Sequence, residues 1–378
     1  MTPPRSTPRS PLGHVSGRDA ALRSAKIALA MGLAMGLAMG LAMGLATGVA
    51  PALAADPEVD SAPTSLNLVV ENDKFIPGAT DRHFTNGLRL SWVSPVEAFP
   101  AWTRPLSHLI DLLAPDHGLA RARWVGGAIG QSMYTPEDIS RTDPIPDDRP
   151  YAGWLYGGLI LTERRGDRRI DEIEIDLGVI GPGSLADETQ INWHKVINSP
   201  RPNGWENQLK TEPGLVFLYR TKWRAALWQS PPLGALSAEG LELDIIPGAN
   251  LSLGNIFTYA GGEVTLRLGD DLADDFGTHR IQPNLAGSSV LQPQDGFAWY
   301  LFAGAGARAV GHNIFLDGNT VSDSLNVNKN FLVADYQAGL AVRIYGVRLT
   351  YTHVWRSREF DTQTAGDRFG SFAISWNF

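Results

Sequence analysis

Three short stretches gather the side chains that could do chemistry. The first joins Glu71-Asn72-Asp73 to Thr80-Asp81-Arg82-His83-Phe84-Thr85-Asn86-Gly87. Asn-Asp at a strand end commonly caps a turn, and Asn-Gly is itself a turn signal. His83 and Thr85, however, are two apart and share a face on an extended chain. A histidine beside a hydroxyl is the pairing of a base with a nucleophile. The second stretch runs from Tyr134-Thr135-Pro136 to Asp147-Asp148-Arg149-Pro150-Tyr151-Ala152-Gly153-Trp154 and holds Arg141 and Arg149. Such arginines are usually solvated, but near a membrane surface a guanidinium can grip phosphate through two hydrogen bonds. The third opens with Gly181-Pro182-Gly183-Ser184, continues through Asp187-Glu188-Thr189-Gln190-Ile191-Asn192-Trp193-His194-Lys195, and closes on Gly204-Trp205-Glu206-Asn207-Gln208-Leu209. Ser184 or Asp187 can N-cap a helix with acids in its first turn, which places Ile191, His194 and Lys195 at i, i+3 and i+4. Histidine is the usual general base near neutral pH, and His194 on a capped helix is a better candidate than a lone loop histidine.

The elements that must position these residues are strands. Glu172-Ile173-Glu174-Ile175-Asp176-Leu177-Gly178-Val179 alternates strictly, acids on one face and apolar residues on the other. In a soluble sandwich the apolar face points inward; in an outer-membrane barrel it points at lipid and the acids face the lumen. Pattern alone leaves both open. The last residues help: Phe372, Ile374, Trp376 and Phe378 share one face and the final residue is aromatic, an ending that resembles the C-terminal strand of outer-membrane barrels. Twelve segments have strand character: about 65–72, 85–94, 124–134, 152–163, 170–181, 212–225, 238–251, 255–268, 296–310, 331–344, 347–358 and 368–378. Several reach the ~9–11 residues that a tilted spanning strand needs. Trp92, Trp124, Tyr134, Trp154, Tyr219, Trp223, Tyr300, Tyr345 and Trp355 fall near strand ends, where interfacial girdles lie. The fold class is therefore all-β, a twelve-stranded antiparallel outer-membrane barrel with a short extracellular loop helix. An even strand number puts both termini on the periplasmic side, together with the connections 95–123 and 269–295. Residues 103–114 pattern as a short amphipathic helix at that inner rim. Loops 73–84, 135–151 and 182–211, which hold the three polar stretches, then share the outside.

Composition agrees. The 378 residues carry 32 basic and 40 acidic side chains, a net charge of −8, and no cysteine. Disulfides, thiolate zinc sites and cysteine nucleophiles are excluded. No basic stripe points to nucleic acid. Residues 1–26 are basic, 27–50 apolar and repetitive, and Ala52-Leu53-Ala54 is a small-x-small cleavage site. That order reads as a signal peptide over 1–54, leaving 55–378 as a single barrel domain with 27 basic against 39 acidic residues.

Taken together, Asn72-Asp73, the DRHFTNG run at 81–87, DRPYAGW at 148–154 and GVIGPGSLADETQINWHKVINSPRPNGWENQL at 178–209 resemble the LpxR-type lipid A 3′-O-deacylases of the outer membrane. The resemblance spans essentially the whole mature chain. It implies hydrolysis of the ester that links the 3′-acyloxyacyl chain to lipid A, with Ca²⁺, at the extracellular rim of a Gram-negative outer membrane. The expected partners are lipid A or lipopolysaccharide and outer-membrane lipid, and the chain is expected to act as a monomer. By the same resemblance the catalytic histidine is His194, the Asn-Asp pair is Asn72 and Asp73, and the strand hydroxyl is Thr85. A basic loop residue falls on Arg141, and Arg141 or Arg149 could hold a lipid A phosphate. Asp73 orients His194 or binds the metal. The chain departs from the pattern at Pro200, where the family has an acid six residues after the histidine. That role is absent or supplied by another residue such as Glu206, the second expected metal ligand.

Two other readings are weighed. His83-Phe84-Thr85-Asn86-Gly87 also resembles the His-x-Ser-Asn-Gly motif of outer-membrane phospholipase A, with Thr85 as nucleophile and His83 as base. Threonine is a poor exchange for serine there, and the third stretch has no counterpart in that family. A porin or adhesin without activity gives no reason for His, Asn-Asp and Thr to gather at one rim.

Overall fold

The computed structural model describes residues 64–378 apart from 77–81, 114–120, 167, 235–236, 238–239, 273–274, 284 and 292–295; the expected leader, 1–54, lies outside them. The strands are β1 (Ser65–Asn72), β2 (His83–Val96), β3 (Arg121–Thr135), β4 (Ala152–Arg165), β5 (Arg169–Ile180), β6 (Glu212–Trp223), β7 (Ala225–Gln229), β8 (Glu242–Gly254), β9 (Phe257–Gly269), β10 (Phe297–Asn313), β11 (Leu332–Ile344), β12 (Val347–Arg356) and β13 (Asp367–Asn377). Each pairs with its neighbour in sequence, except that β6 and β7 do not pair with each other, and β1 pairs with β13 to close the ring. Both β6 and β7 pair with β8, so these two are one stave interrupted at Arg224. The barrel thus has the twelve antiparallel staves that the alternation predicts. Three helices join them: α1 (Arg104–Leu113), α2 (Ala186–Ile197) and α3 (Ile314–Asp317). Residues 57–190 and 202–378 form the barrel unit, while 191–201, the later part of α2 and the turn after it, fall in a separate unit.

The strand alternation is realised with acids inward. Leu177 and Leu215 sit opposite one another and are exposed, whereas Glu172 and Glu174 are buried. A carboxylate inside a barrel costs several kcal/mol to desolvate unless a cation meets it. Here each is met. Arg89 donates to Glu174 at 2.5 Å, Arg220 binds Glu172, and Lys222 binds Glu263. Arg308 and Arg356 share Asp335, and Arg267 and Arg348 share Asp275. Gly158 makes room for one of these acids, since a Cβ there would lie 2.3 Å from Asp176 Oδ1.

Two expectations about this interior change. The connection 269–295 does not stay outside the barrel end; its described residues thread the lumen along the inner face of β1. Ser65 Oγ donates to the Leu291 carbonyl at 3.1 Å, Asn67 Nδ2 to that of Ser289 at 2.8 Å, and Arg280 Nε to Glu71 at 2.9 Å. A polar segment can lie there because the inward side chains satisfy its backbone groups, which an apolar interior could not. The aromatic girdle is also thinner than expected. Trp124, Tyr134, Trp154, Tyr219 and Tyr300 are buried; Trp92, Trp223, Tyr345 and Trp355 remain exposed. Tyr134 and Trp154 belong to an apolar layer with Phe84, Tyr259, Phe315 and Phe369 near the loop-bearing end. Strand-end position does not fix which face a side chain takes; the period of two does, save that Tyr219 keeps the outward face and is covered by α1.

Candidate active site

One end of the barrel carries loops 73–82, 136–151, 314–331 and 357–366, with residues 181–190 and 202–211 of the third polar stretch. Asn72 ends β1 and caps the turn that follows, its Oδ1 accepting the Lys74 amide at 2.8 Å. Asp73 is buried, and its Oδ2 accepts the Arg82 amide at 2.8 Å, which holds the two ends of the first loop together. Thr85 sits where the β2–β3 register shifts, a bulge between Phe84 and Asn86, and its hydroxyl meets that of Thr135 at 2.7 Å. Bulges re-aim a side chain, and this one turns Thr85 inward to that partner.

His83 is placed differently from both readings of it. Its φ is +61° and its ring is buried. Nδ1 lies 2.6 Å from Asp367 Oδ1 and Nε2 lies 3.6 Å from Asp148 Oδ1. Both ring nitrogens face carboxylates, so His83 and Thr85 do not form a base–nucleophile pair. The ring instead ties β2 to the second loop and to β13. Burial opposes ionisation of Asp148, yet hydrogen bonds from His83 and from the Glu137 and Arg149 backbone amides hold its carboxyl below the ordinary range. Asp367 and Gln363, which bonds both Asp367 and His83, come from a segment that carries no motif.

The second and third stretches interlock. Asn203 N donates to the Ile139 carbonyl at 2.9 Å, Asn207 Nδ2 to that of Thr142 at 2.7 Å, and Leu209 N to that of Tyr151 at 2.9 Å. Trp205 Nε1 donates to Gln190 Oε1 at 2.7 Å, fastening the start of α2. Gly153 of the DRPYAGW run admits that start to the barrel wall, because a Cβ would lie 2.3 Å from Ala186 Cβ. Ser184, a candidate cap, donates its hydroxyl back to Gly181 at 2.6 Å instead.

Arg141 and Arg149 line one small cavity with Asp143, Tyr151, Asn207 and Leu325. Arg141 is exposed; Arg149 is buried, 3.3 Å from Glu359, with its guanidinium 5.0 Å from the Tyr134 ring. Its Nε and Nη2 find no hydrogen-bond partner among the described residues. Burial opposes ionisation of Glu359, but Arg356, Arg149 and Arg308 keep it charged below its ordinary range. Glu206 is exposed on the turn Trp205–Asn207. No three His, Asp or Glu side chains group as a metal cage among the described residues.

In the 191–201 unit, His194 lies in the last turn of α2, a helix as the capping pattern predicts, and is 2% exposed. The chain folds back after the helix, with Ser199 N on the His194 carbonyl at 2.9 Å, and Nδ1 meets the Pro200 carbonyl at 2.5 Å. A carbonyl only accepts, so Nδ1 carries the proton and Nε2 the lone pair. The position that lacks the acid therefore supplies a backbone oxygen in its place.

A closed twelve-stave wall, paired charges inside and a knitted rim of polar loops define an outer-membrane β-barrel protein. A family model described as "Outer membrane protein LpxR" matches residues 37–378, and the chain belongs to that family. Among solved structures, LpxR from Salmonella typhimurium is 22% identical with a TM-score of 0.65, the match covering 83% of this chain and 100% of that one. The β domain of the Bordetella autotransporter BrkA matches at 10% identity and a TM-score of 0.41, over 84% of this chain and 99% of that one. No curated protein matches by sequence.

Proposed function

We propose that the chain is a lipid A 3′-O-deacylase that cleaves the ester of the 3′-acyloxyacyl chain, with its loop end at the extracellular face where lipid A lies. The observation that carries this reading is His194, whose tautomer is set by the Pro200 carbonyl so that Nε2 can accept a proton. Water gives that proton to Nε2 as it attacks the acyl carbonyl; the tetrahedral intermediate then collapses and the sugar oxygen leaves with the proton returned by the imidazolium. Asn72, Asp73 and Thr85 keep the supporting roles that the family resemblance implies, and Arg141 with Arg149 offers guanidinium charge to a lipid A phosphate.

Calcium is part of the same proposal. The Asp73 carboxylate and the Asn72 carboxamide are hard oxygen donors of the kind Ca²⁺ takes. A cation held by them would supply positive charge of the kind that stabilises an oxyanion. Because no carboxylate cluster backs these donors among the described residues, the hold would be weak and readily stripped. Exhaustive chelation is therefore expected to lower fatty-acid release, and added Ca²⁺ to restore it. Unchanged release after chelation removes the metal from the mechanism.

The competing readings lose support. A lumen filled by paired charges and by the described residues of 275–291 gives a porin no path. The phospholipase reading needs His83 to face Thr85, and it faces Asp367 and Asp148. The deciding assay gives the folded full chain lipid A and phospholipid in parallel. Release of the 3′-linked acyl chains from lipid A alone supports the proposal; release from phospholipid alone overturns it.

A further inference from the structure

A second charged surface lies at the barrel end opposite the loops. Helix α1 does not sit beneath the barrel there but on its outer wall. Ile110 is buried against Ile173 and Tyr219, with Leu106 and Leu109 beside it. Ile173 and Tyr219 are cross-strand partners on the outward face, the face on which Leu177 and Leu215 are exposed. The other side of this segment stays bare: Trp102, Leu112 and Leu113 are 66%, 77% and 46% exposed. An amphipathic helix seated on a lipid-facing wall, with a second apolar side open, fits the boundary between headgroups and acyl chains.

The charge around it is positive, in a chain that is acidic as a whole. Arg121, Arg123 and Arg165 converge on two carboxylates: Asp111, at 2.8 Å from Arg121, and Glu163, at 2.9 and 2.7 Å from Arg123 and Arg165. Arg165 also stands directly across from Arg169 in the β4–β5 hairpin. Their own acids offset this repulsion, Glu163 at 2.7 Å from Arg165 and Asp171 at 2.9 Å from Arg169, so the surplus charge lies in the neighbouring arginines. Arg104, at the start of α1, and Arg168, in the hairpin turn, are exposed and form no ion pair among the described residues. Surplus guanidinium charge beside an open apolar surface matches a lipid with an anionic headgroup.

We propose that α1 and the β4–β5 hairpin bind an anionic phospholipid, its phosphate drawn by Arg104 and Arg168 and its acyl chains lying along Trp102 and Leu112. With the loop end extracellular, as proposed above, this end is periplasmic and the lipid belongs to the inner leaflet. The test is native mass spectrometry of the folded full chain titrated with phosphatidylglycerol or with phosphatidylcholine of the same chains. The wild type should retain phosphatidylglycerol in preference. An R104A/R168A double variant should bind it about thirtyfold more weakly, at roughly fivefold per arginine, while R358A, at an exposed arginine of the loop end, leaves it unchanged. Both variants are checked for heat-modifiable migration, so that loss of binding is not loss of fold. Equal binding of the two lipids by the wild type, an unchanged double variant, or loss in R358A alone would each overturn the proposal.

Discussion

Replacing His194 by alanine is expected to lower lipid A deacylation by about 10²–10⁴-fold, the usual cost of losing a general base. The barrel should still assemble, because His194 lies outside every strand. His83→Ala should do less to turnover and more to the rim. It leaves the Asp148 and Asp367 carboxylates without the ring that bridges them, and a severed buried contact of this kind costs about 1–3 kcal/mol. The measurement is initial rate on lipid A together with the temperature at which gel migration shifts. Activity retained in the His194 variant but lost in the His83 variant would move the chemistry to the other loop. A further check is Pro200→Ala or Pro200→Asn: either substitution keeps a backbone carbonyl at that position, so activity should largely persist if the carbonyl orients His194.

The second large effect concerns the lumen. Arg280 and Glu71 are wholly buried and joined at 2.9 Å, and Arg280 also reaches Gln337 at 3.1 Å. Arg280→Ala takes the cation from a carboxylate that water cannot reach. Breaking such a pair costs about 3–5 kcal/mol, whereas replacing both members by apolar residues of similar volume is often neutral. The single variant should unfold at clearly lower temperature, and E71L/R280M should recover most of the loss. Glu71 precedes Asn72, so the single variant should also depress deacylation. If the single variant unfolds like the wild type, residues 275–291 do not anchor the interior as described.

These two sites differ in how far the sequence exposed them. The alternation at 172–179 predicts β5 and its two faces, because a period of two survives in the residues themselves. It does not reveal which arginine meets each acid, since Arg89 and Arg220 come from other staves. The lumen segment was hidden for a related reason. Its Ser, Gly and Pro content reads as an exterior connection, and only the polar inner face of β1 makes an interior path possible. Among the polar stretches, motifs pointed to Asn72, Asp73, Thr85, His194 and the arginines. They could not point to Asp367 or Gln363, which lie far along the chain and meet His83 only through closure of β13 on β1. Nor could they show a main-chain oxygen at Pro200 standing where a side-chain acid was expected, because backbone groups leave no mark on residue identity.

The most direct test of the central claim is mass spectrometry of lipid A from Gram-negative cells that make the wild-type chain, the His194→Ala variant or neither. The account predicts lipid A lacking its 3′-linked acyl chains only with the wild type, with both proteins present in equal amounts in the outer membrane. Identical lipid A from all three strains, or 3′-deacylated lipid A from cells making the His194→Ala variant, would contradict it.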